Sequence, residues 1–214
     1  MIRVKICCIS SENEADLAVS AGASALGLVG KMPSGPGPIP DELIRTIAAA
    51  VPPPVATFLL TSSQSASGIV EHHHRTKTNT IQIVDELHGR DYATIREALP
   101  NVKLVQVVHV VGEASVDEAA ELAEFVDAIL LDSGNPSLAV KELGGTGRRH
   151  DWKLSRKIVE TCGKPVFLAG GLNPDNVREA IDLVQPFGVD ICSGVRTDGL
   201  LDPQKLEKFF AAAS

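Results

Sequence analysis

Two side chains able to move protons lie where short apolar runs stop. Cys7 closes the run from Ile2, and Asp132 closes Ile129-Leu130-Leu131. A thiolate is a reactive group, and a carboxylate at the end of an apolar run needs a partner or a job. Alternation along the first run sets Arg3, Lys5 and Cys7 on one face and Val4 and Ile6 on the other. The apolar face should meet helices, so Arg3, Lys5 and Cys7 are expected to face inward, with Lys5 one pleat below Cys7 and favouring its thiolate. A buried structural thiol and a loop-capping carboxylate are the plain alternatives.

A second pattern suits an anion. Phe167-Leu168-Ala169-Gly170-Gly171-Leu172-Asn173-Pro174 is echoed by Val189-Asp190-Ile191-Cys192-Ser193-Gly194-Val195. Each is a short apolar run that ends in small residues and hands over to a helix pattern. Asn173 is expected to cap the first helix, with Pro174 at its first position. Backbone N–H groups around Gly170, Gly171, Ser193 and Gly194 could then cradle a phosphate. Two ordinary strand-to-helix turns are the alternative.

These positions are far apart in the chain and need a scaffold that gathers them. Apolar strand patterns recur at 2–7, 25–29, 55–60, 80–84, 103–110, 128–131, 165–168 and 189–192. Helical patterns follow each, at about 11–20, 40–50, 61–77, 90–99, 115–125, 151–162, 174–184 and 203–212. Eight β-then-α units predict an α/β fold, a (β/α)8 TIM barrel, as a single domain spanning 1–214. In such a barrel the chemistry sits at the C-terminal ends of the strands, where Cys7, Asp85, Asp132, Gly170 and Ser193 fall. The long segment after Asp132 carries Gly144-Gly145-Thr146-Gly147, a flexible run suited to a binding loop.

The 214 residues carry a net charge of −7, which argues against nucleic acid as the main partner. No apolar run reaches membrane-spanning length, and the chain starts directly on a strand pattern, so neither anchor nor signal peptide is expected. Cys7, Cys8, Cys162 and Cys192 follow neither a disulfide framework nor a zinc spacing, which favours a reducing cytoplasm. His72-His73-His74 sits on a helix pattern, where consecutive residues diverge around the axis, and makes a poor metal site.

Taken together, Lys5-Ile6-Cys7, Leu130-Leu131-Asp132, Gly144-Gly145-Thr146-Gly147 with Asp151-Trp152, Gly170-Gly171-Leu172-Asn173-Pro174, and Asp190 with Ser193-Gly194-Val195 resemble the phosphoribosylanthranilate isomerase family over nearly the whole chain. The resemblance implies an Amadori rearrangement without cofactor or metal, on a phosphosugar substrate. It places the general base on Cys7, the general acid on Asp132, and a further site aspartate on Asp190. Lys5, Asp85, Gly145 and Arg196 are further candidates for contact with the substrate. Neither a monomer nor a homodimer is favoured.

The sequence departs from the family pattern in three places. Cys8 stands where a Gly usually follows the base, and it is expected to point to the opposite face. Pro36 stands where the family carries an Arg for the anthranilate carboxylate. Arg196 is the first substitute for that cation, with a surface pair to Asp198 or Asp202 as its plain alternative; Arg148 with Arg149, and then Lys31, come next. Gln82-Ile83-Val84-Asp85 aligns by strand position with the family's Gln-Leu-His-Gly, whereas Leu87-His88-Gly89 matches its last three letters further on, and the choice stays open. The rivals are the same isomerisation on another phosphoribosylamine, a thiamine phosphate synthase, and a non-catalytic phosphosugar-binding barrel.

Overall fold

In a computed structural model, residues 2–134, 143 and 148–214 are described. Eight parallel strands close into a barrel in chain order: β1 (Arg3–Ile6), β2 (Ala25–Val29), β3 (Ala56–Thr61), β4 (Thr80–Ile83), β5 (Lys103–His109), β6 (Ala128–Asp132), β7 (Val166–Leu168) and β8 (Gly188–Ile191). Closure comes from β1 pairing with β8, with Lys5 opposite Asp190. The helices between them are α1 (Glu12–Ser20), α2 (Asp41–Ala50), α3 (Ala66–Thr76), α4 (Tyr92–Ala98), α5 (Ala114–Ala123), α6 (Trp152–Thr161) and α7 (Val177–Val184). A hairpin of β9 (Arg196–Thr197) and β10 (Leu200–Leu201) precedes the last helix, α8 (Pro203–Ala213). No described helix is long and apolar enough to cross a membrane.

Strand alternation builds two cores. Outward residues such as Val4, Ile6, Leu26, Leu59, Ile81 and Val189 pack under the helices. Inward residues such as Phe58, Val105, Leu130 and Phe167 fill the barrel. This division positions the site: every second residue points to the axis, and the last inward residue of each strand opens onto the C-terminal rim.

Several boundaries differ from the sequence pattern, each for a local reason. Thr61 still belongs to β3, and α3 starts only after Ser65, whose side chain accepts from Gly68 N–H. Gly89 at φ 66° holds a separate 3₁₀ turn, and α4 begins after Asp91, which caps Thr94. Asn173 and Pro174 do not start α7. Asn173 Oδ1 accepts from Asp175 N–H, and Asn176 Oδ1 accepts from Asn173 N–H, so a turn is spent before the helix starts at Val177. Arg3 is not in the interior; it is exposed, with its guanidinium 4.1 Å from the centre of the Phe187 ring. The β9–β10 hairpin had no distinct sequence pattern.

Candidate active site

The C-terminal rim of the barrel surrounds a cavity of about 730 Å³ including its open mouth. Cys7, Asp132, Gly170, Gly171, Ser193 and Asp190 all line it. Cys7 extends the β1–β8 ladder, its N–H donating to the Ile191 carbonyl at 2.8 Å. Room for the thiol comes from Gly27 on β2, where a Cβ would stand 2.7 Å from Cys7 Sγ and 3.1 Å from Lys5 Nζ.

Lys5 lies below, with 0% of its surface exposed, and pairs with Asp190 Oδ2 at 2.8 Å. Burial works against this ammonium, but Asp190 and then Cys7 outweigh it, and Lys5 titrates above an ordinary lysine. Lys5 itself does not line the cavity; it lies beneath it, paired with Asp190, which does.

Asp132 ends β6, opposite His109 in the ladder. Burial pushes its carboxyl up to about 6; the Ser133 N–H, 2.7 Å from Oδ1, pulls the other way, Asp190 adds to the rise and Lys5 opposes it. A carboxyl with that value is partly protonated near neutral pH, as a general acid needs.

The turns after β7 and β8 form the stretch of rim between Asp132 on β6 and Cys7 after β1. Gly170 and Gly171 sit at φ 85° and 65°, in the left-handed region that other residues avoid. Gly194 stands just behind the cavity lining, where a Cβ would collide with the Leu172 carbonyl. The two turns therefore depend on each other's backbone. His150, which the sequence reading passed over, backs Gly170: a Cβ there would meet its Nδ1 at 3.0 Å. Its Nε2 is 2.7 Å from Ser155 Oγ, and burial lowers its pKa to about 4, leaving it neutral.

Other expectations are corrected. Cys8 does not point away. Its backbone turns at φ 61°, its side chain lines the cavity, and its thiol lies 2.7 Å from Cys192, which lines the same wall. The hydrogen bond between these thiols holds Cys8 well above, and Cys192 below, the ordinary cysteine value. Arg196 neither faces the cavity nor pairs with Asp198 or Asp202. It binds both oxygens of Glu14, at 2.8 and 3.0 Å, and donates to the carbonyls of Cys8 at 2.5 Å and Gly199 at 2.9 Å. Asp85 lies one residue too far along and lines neighbouring cavities instead of this one. Pro36 does line the cavity, whereas Lys31, Arg148 and Arg149 are exposed and do not. Gly144 to Gly147, Gly145 included, lie outside the described residues.

His72 and His73 are spoken for within the fold. His72 contacts Thr61 Oγ1 at 2.9 Å and Asp41 at 3.1 Å, and His73 the Thr78 carbonyl at 2.7 Å. Among the described residues, no group of three His, Cys, Asp or Glu side chains could hold a metal.

The strand-end count places Leu60 and the loop after Val29 at the rim; it gives no role to Gln82 on β4, nor to the apolar lining residues Met32 and Leu143. Inward parity on β4 was the available signal for Gln82.

Barrel and site together define a (β/α)8 barrel with a thiol, a raised carboxyl and glycine turns gathered on one cavity at its C-terminal rim. Residues 4–212 match the family model described as N-(5'-phosphoribosyl)anthranilate (PRA) isomerase. A Haloferax volcanii N-(5'-phosphoribosyl)anthranilate isomerase is 40% identical over 215 residues, covering 100% of this chain and 93% of that protein. N-(5'-phosphoribosyl)anthranilate isomerase 2 of Methanosarcina mazei is 35% identical over 210 residues, covering 97% and 92%. The solved Thermotoga maritima phosphoribosyl anthranilate isomerase superposes with a TM-score of 0.83 at 32% identity, covering 100% of this chain and 98% of that one. A phosphoribosyl anthranilate isomerase solved with reduced 1-(o-carboxyphenylamino)-1-deoxyribulose 5-phosphate gives 0.81 at 30% identity, covering 100% and 98%. The chain belongs to the phosphoribosylanthranilate isomerase family, enzymes of tryptophan biosynthesis.

Proposed function

We propose that the chain rearranges N-(5'-phosphoribosyl)anthranilate to the aminoketose phosphate, with Asp132 as general acid and Cys7 as general base. The observation that carries this reading is that a buried carboxyl, raised to about 6, and a thiol seated over Gly27 line one and the same cavity. Asp132 delivers its proton to the furanose ring oxygen. The C1–O bond breaks as the nitrogen lone pair forms C1=N⁺. Cys7 then takes the proton from C2, and those electrons form C1=C2 and neutralise the nitrogen. The enolamine so formed tautomerises to the ketone. Phosphate sits at the turns of Gly170-Gly171 and Ser193-Gly194, by the geometry that suits oxyanions in this fold. The setting we infer is cytoplasmic, with a small phosphosugar as the partner. The test is turnover of phosphoribosylanthranilate by the purified protein, followed by loss of anthranilate fluorescence. No turnover above background would sink the assignment.

A second reading keeps this chemistry on an aglycone without a carboxylate. It is favoured by one observation: no Arg, Lys or His side chain is among the described residues that line the cavity, and Pro36 stands where the family has its Arg. Comparing kcat/KM for phosphoribosylanthranilate and phosphoribosylaniline separates the two. A preference for the anthranilate compound rejects the second reading.

A further inference from the structure

Two buried glutamines on neighbouring strands are treated differently by the fold. Gln106 of β5 points outward and is satisfied: its Nε2 donates to the carbonyls of Ile83, Asp85 and Val107, and its Oε1 accepts from Tyr92 Oη at 2.9 Å. Gln82 of β4 points inward, is 3% exposed and lines the catalytic cavity. Its Oε1 is buried without any hydrogen-bond partner among the described residues. Its ladder neighbours are Leu60 and Val105, which have no side-chain donor to give. Leaving a buried carbonyl oxygen unpaired costs the desolvation of that oxygen with nothing gained in return. An apolar residue would avoid that penalty, so the amide makes sense as half of an interaction that a ligand completes.

The barrel order says which part of the ligand reaches it. β4 stands across the ring from β8, and the phosphate turns follow β7 and β8. A substrate anchored there by its 5-phosphate extends its C1 end and its amine toward β4, past Cys7 on one flank and Asp132 on the other. Beyond the amine, the aryl group meets the apolar wall of Val29, Met32, Leu60 and Val84.

We propose that Gln82 Oε1 accepts a hydrogen bond from the N–H of the substrate's secondary amine and so serves as a catalytic residue of this isomerisation. The inference rests on the phosphoribosylamine reading above. That N–H is present in the N-glycoside, in the ring-opened Schiff base and in the enolamine. It is the strongest donor in the Schiff base, where the nitrogen is positive, and a hydrogen bond to a charged donor is about twice as strong as a neutral one. Gln82 therefore favours the species formed when Asp132 opens the ring more than it favours the ground state, and the gain falls on kcat.

The experiment needs two variants of the ligand and one of the protein. The ligands are the reduced product, which keeps its N–H, and the same molecule with an ether oxygen in place of the nitrogen. The unaltered protein is expected to bind the amine at least roughly tenfold more tightly, the size of a good net hydrogen bond. Gln82→Met, similar in length and without the carbonyl, is expected to erase that preference, to lower kcat roughly ten- to a hundredfold, and to keep or raise Tm because the orphaned oxygen is gone. Equal binding of the two ligands by the unaltered protein overturns the assignment without any variant. So does a Gln82→Met protein that keeps the amine preference, or that loses Tm and weakens both ligands alike, since that is a packing role. Turnover by the unaltered protein is measured separately: its absence counts against the isomerase, whereas the paired ligands judge Gln82 alone.

Discussion

Arg196 and Glu14 meet end to end, with Nη1–Oε1 at 2.8 Å and Nη2–Oε2 at 3.0 Å, and the same guanidinium holds the Cys8 carbonyl. Glu14 also accepts from the N–H groups of Ser10 and Leu201, at 2.9 Å each. The pair thus clamps the turn after the base to the hairpin after β8. Arg196→Ala leaves a nearly buried carboxylate unpaired and should destabilise by roughly 3–5 kcal/mol. Activity should fall equally on phosphoribosylanthranilate and phosphoribosylaniline, because the residue holds a turn and does not hold the substrate. Denaturant melts and parallel rate assays check both. A loss confined to the carboxylated substrate would return Arg196 to the aglycone.

Asp132 makes a pH prediction with a definite sign. Its folded value of about 6 lies above the unfolded value. The folded state therefore holds the proton more tightly, and this contribution to stability is fully present below pH ~4 and lost as pH rises through ~6. Asp132→Asn should raise Tm relative to the parent at pH 8 and much less at pH 4. The alkaline limb of kcat/KM in the parent should fall near pH 6, where the general acid is lost. A limb that stays in place in a slow but measurable Asp132→Asn protein would assign it to another group.

The proposed base, Cys7, depends on a missing side chain on the neighbouring strand. Cys7→Ala should lower kcat roughly a hundred- to ten-thousandfold, the usual weight of a general base, with little change in Tm. Gly27→Ala should approach the same loss by another route, since its new Cβ would stand 2.7 Å from Cys7 Sγ and must displace it. Steady-state kinetics on both variants decide this. A Gly27→Ala enzyme with parental kcat would show that the thiol has room to spare.

The phosphate wall predicts a change in KM. Gly194→Ala pushes against the Leu172 carbonyl and moves one turn off the other. Affinity for inorganic phosphate and for the phosphosugar should drop together by about tenfold or more, the scale of one lost charge-assisted hydrogen bond. Calorimetry with phosphate alone gives the reading, and unchanged affinity would move the anchor elsewhere.

Cys8 sits at φ 61°, where the family commonly has glycine. Cys8→Gly should therefore fold well and keep activity, whereas Cys8→Val should lose stability, because branched side chains tolerate that region poorly. A comparison of Tm values decides, and equal Tm for the two would mean the turn has relaxed.

The barrel was legible because eight short, largely apolar runs alternate with longer stretches of mixed apolar and charged residues. The same count put Cys7, Asp132, Gly170, Gly171 and Ser193 at strand ends, and these lie on one cavity; Asp190, which the family resemblance added, lines it as well. What failed was local backbone direction. Nothing in the letters says that Cys8 turns through the left-handed region, that Asn173 closes a turn before α7, or that Arg196 finds Glu14 almost a whole chain length away. Gln82 and Gly27 were hidden for a different reason. Each matters through the space opposite it, and that space is made by other strands.

The closure of β1 on β8 has a consequence for how the enzyme comes to exist. Glu14 with Arg196 and Cys8 with Cys192 join residues 182 and 184 positions apart, and Lys5 with Asp190 lies beside them. During synthesis the first strand emerges long before the last, carrying an ammonium destined for complete burial and no carboxylate to meet it. The catalytic machinery therefore cannot mature strand by strand as the chain lengthens. It assembles in one late event, when the final strand slots beside the first, and until then the half-built ribbon keeps two open edges ready for the wrong neighbour.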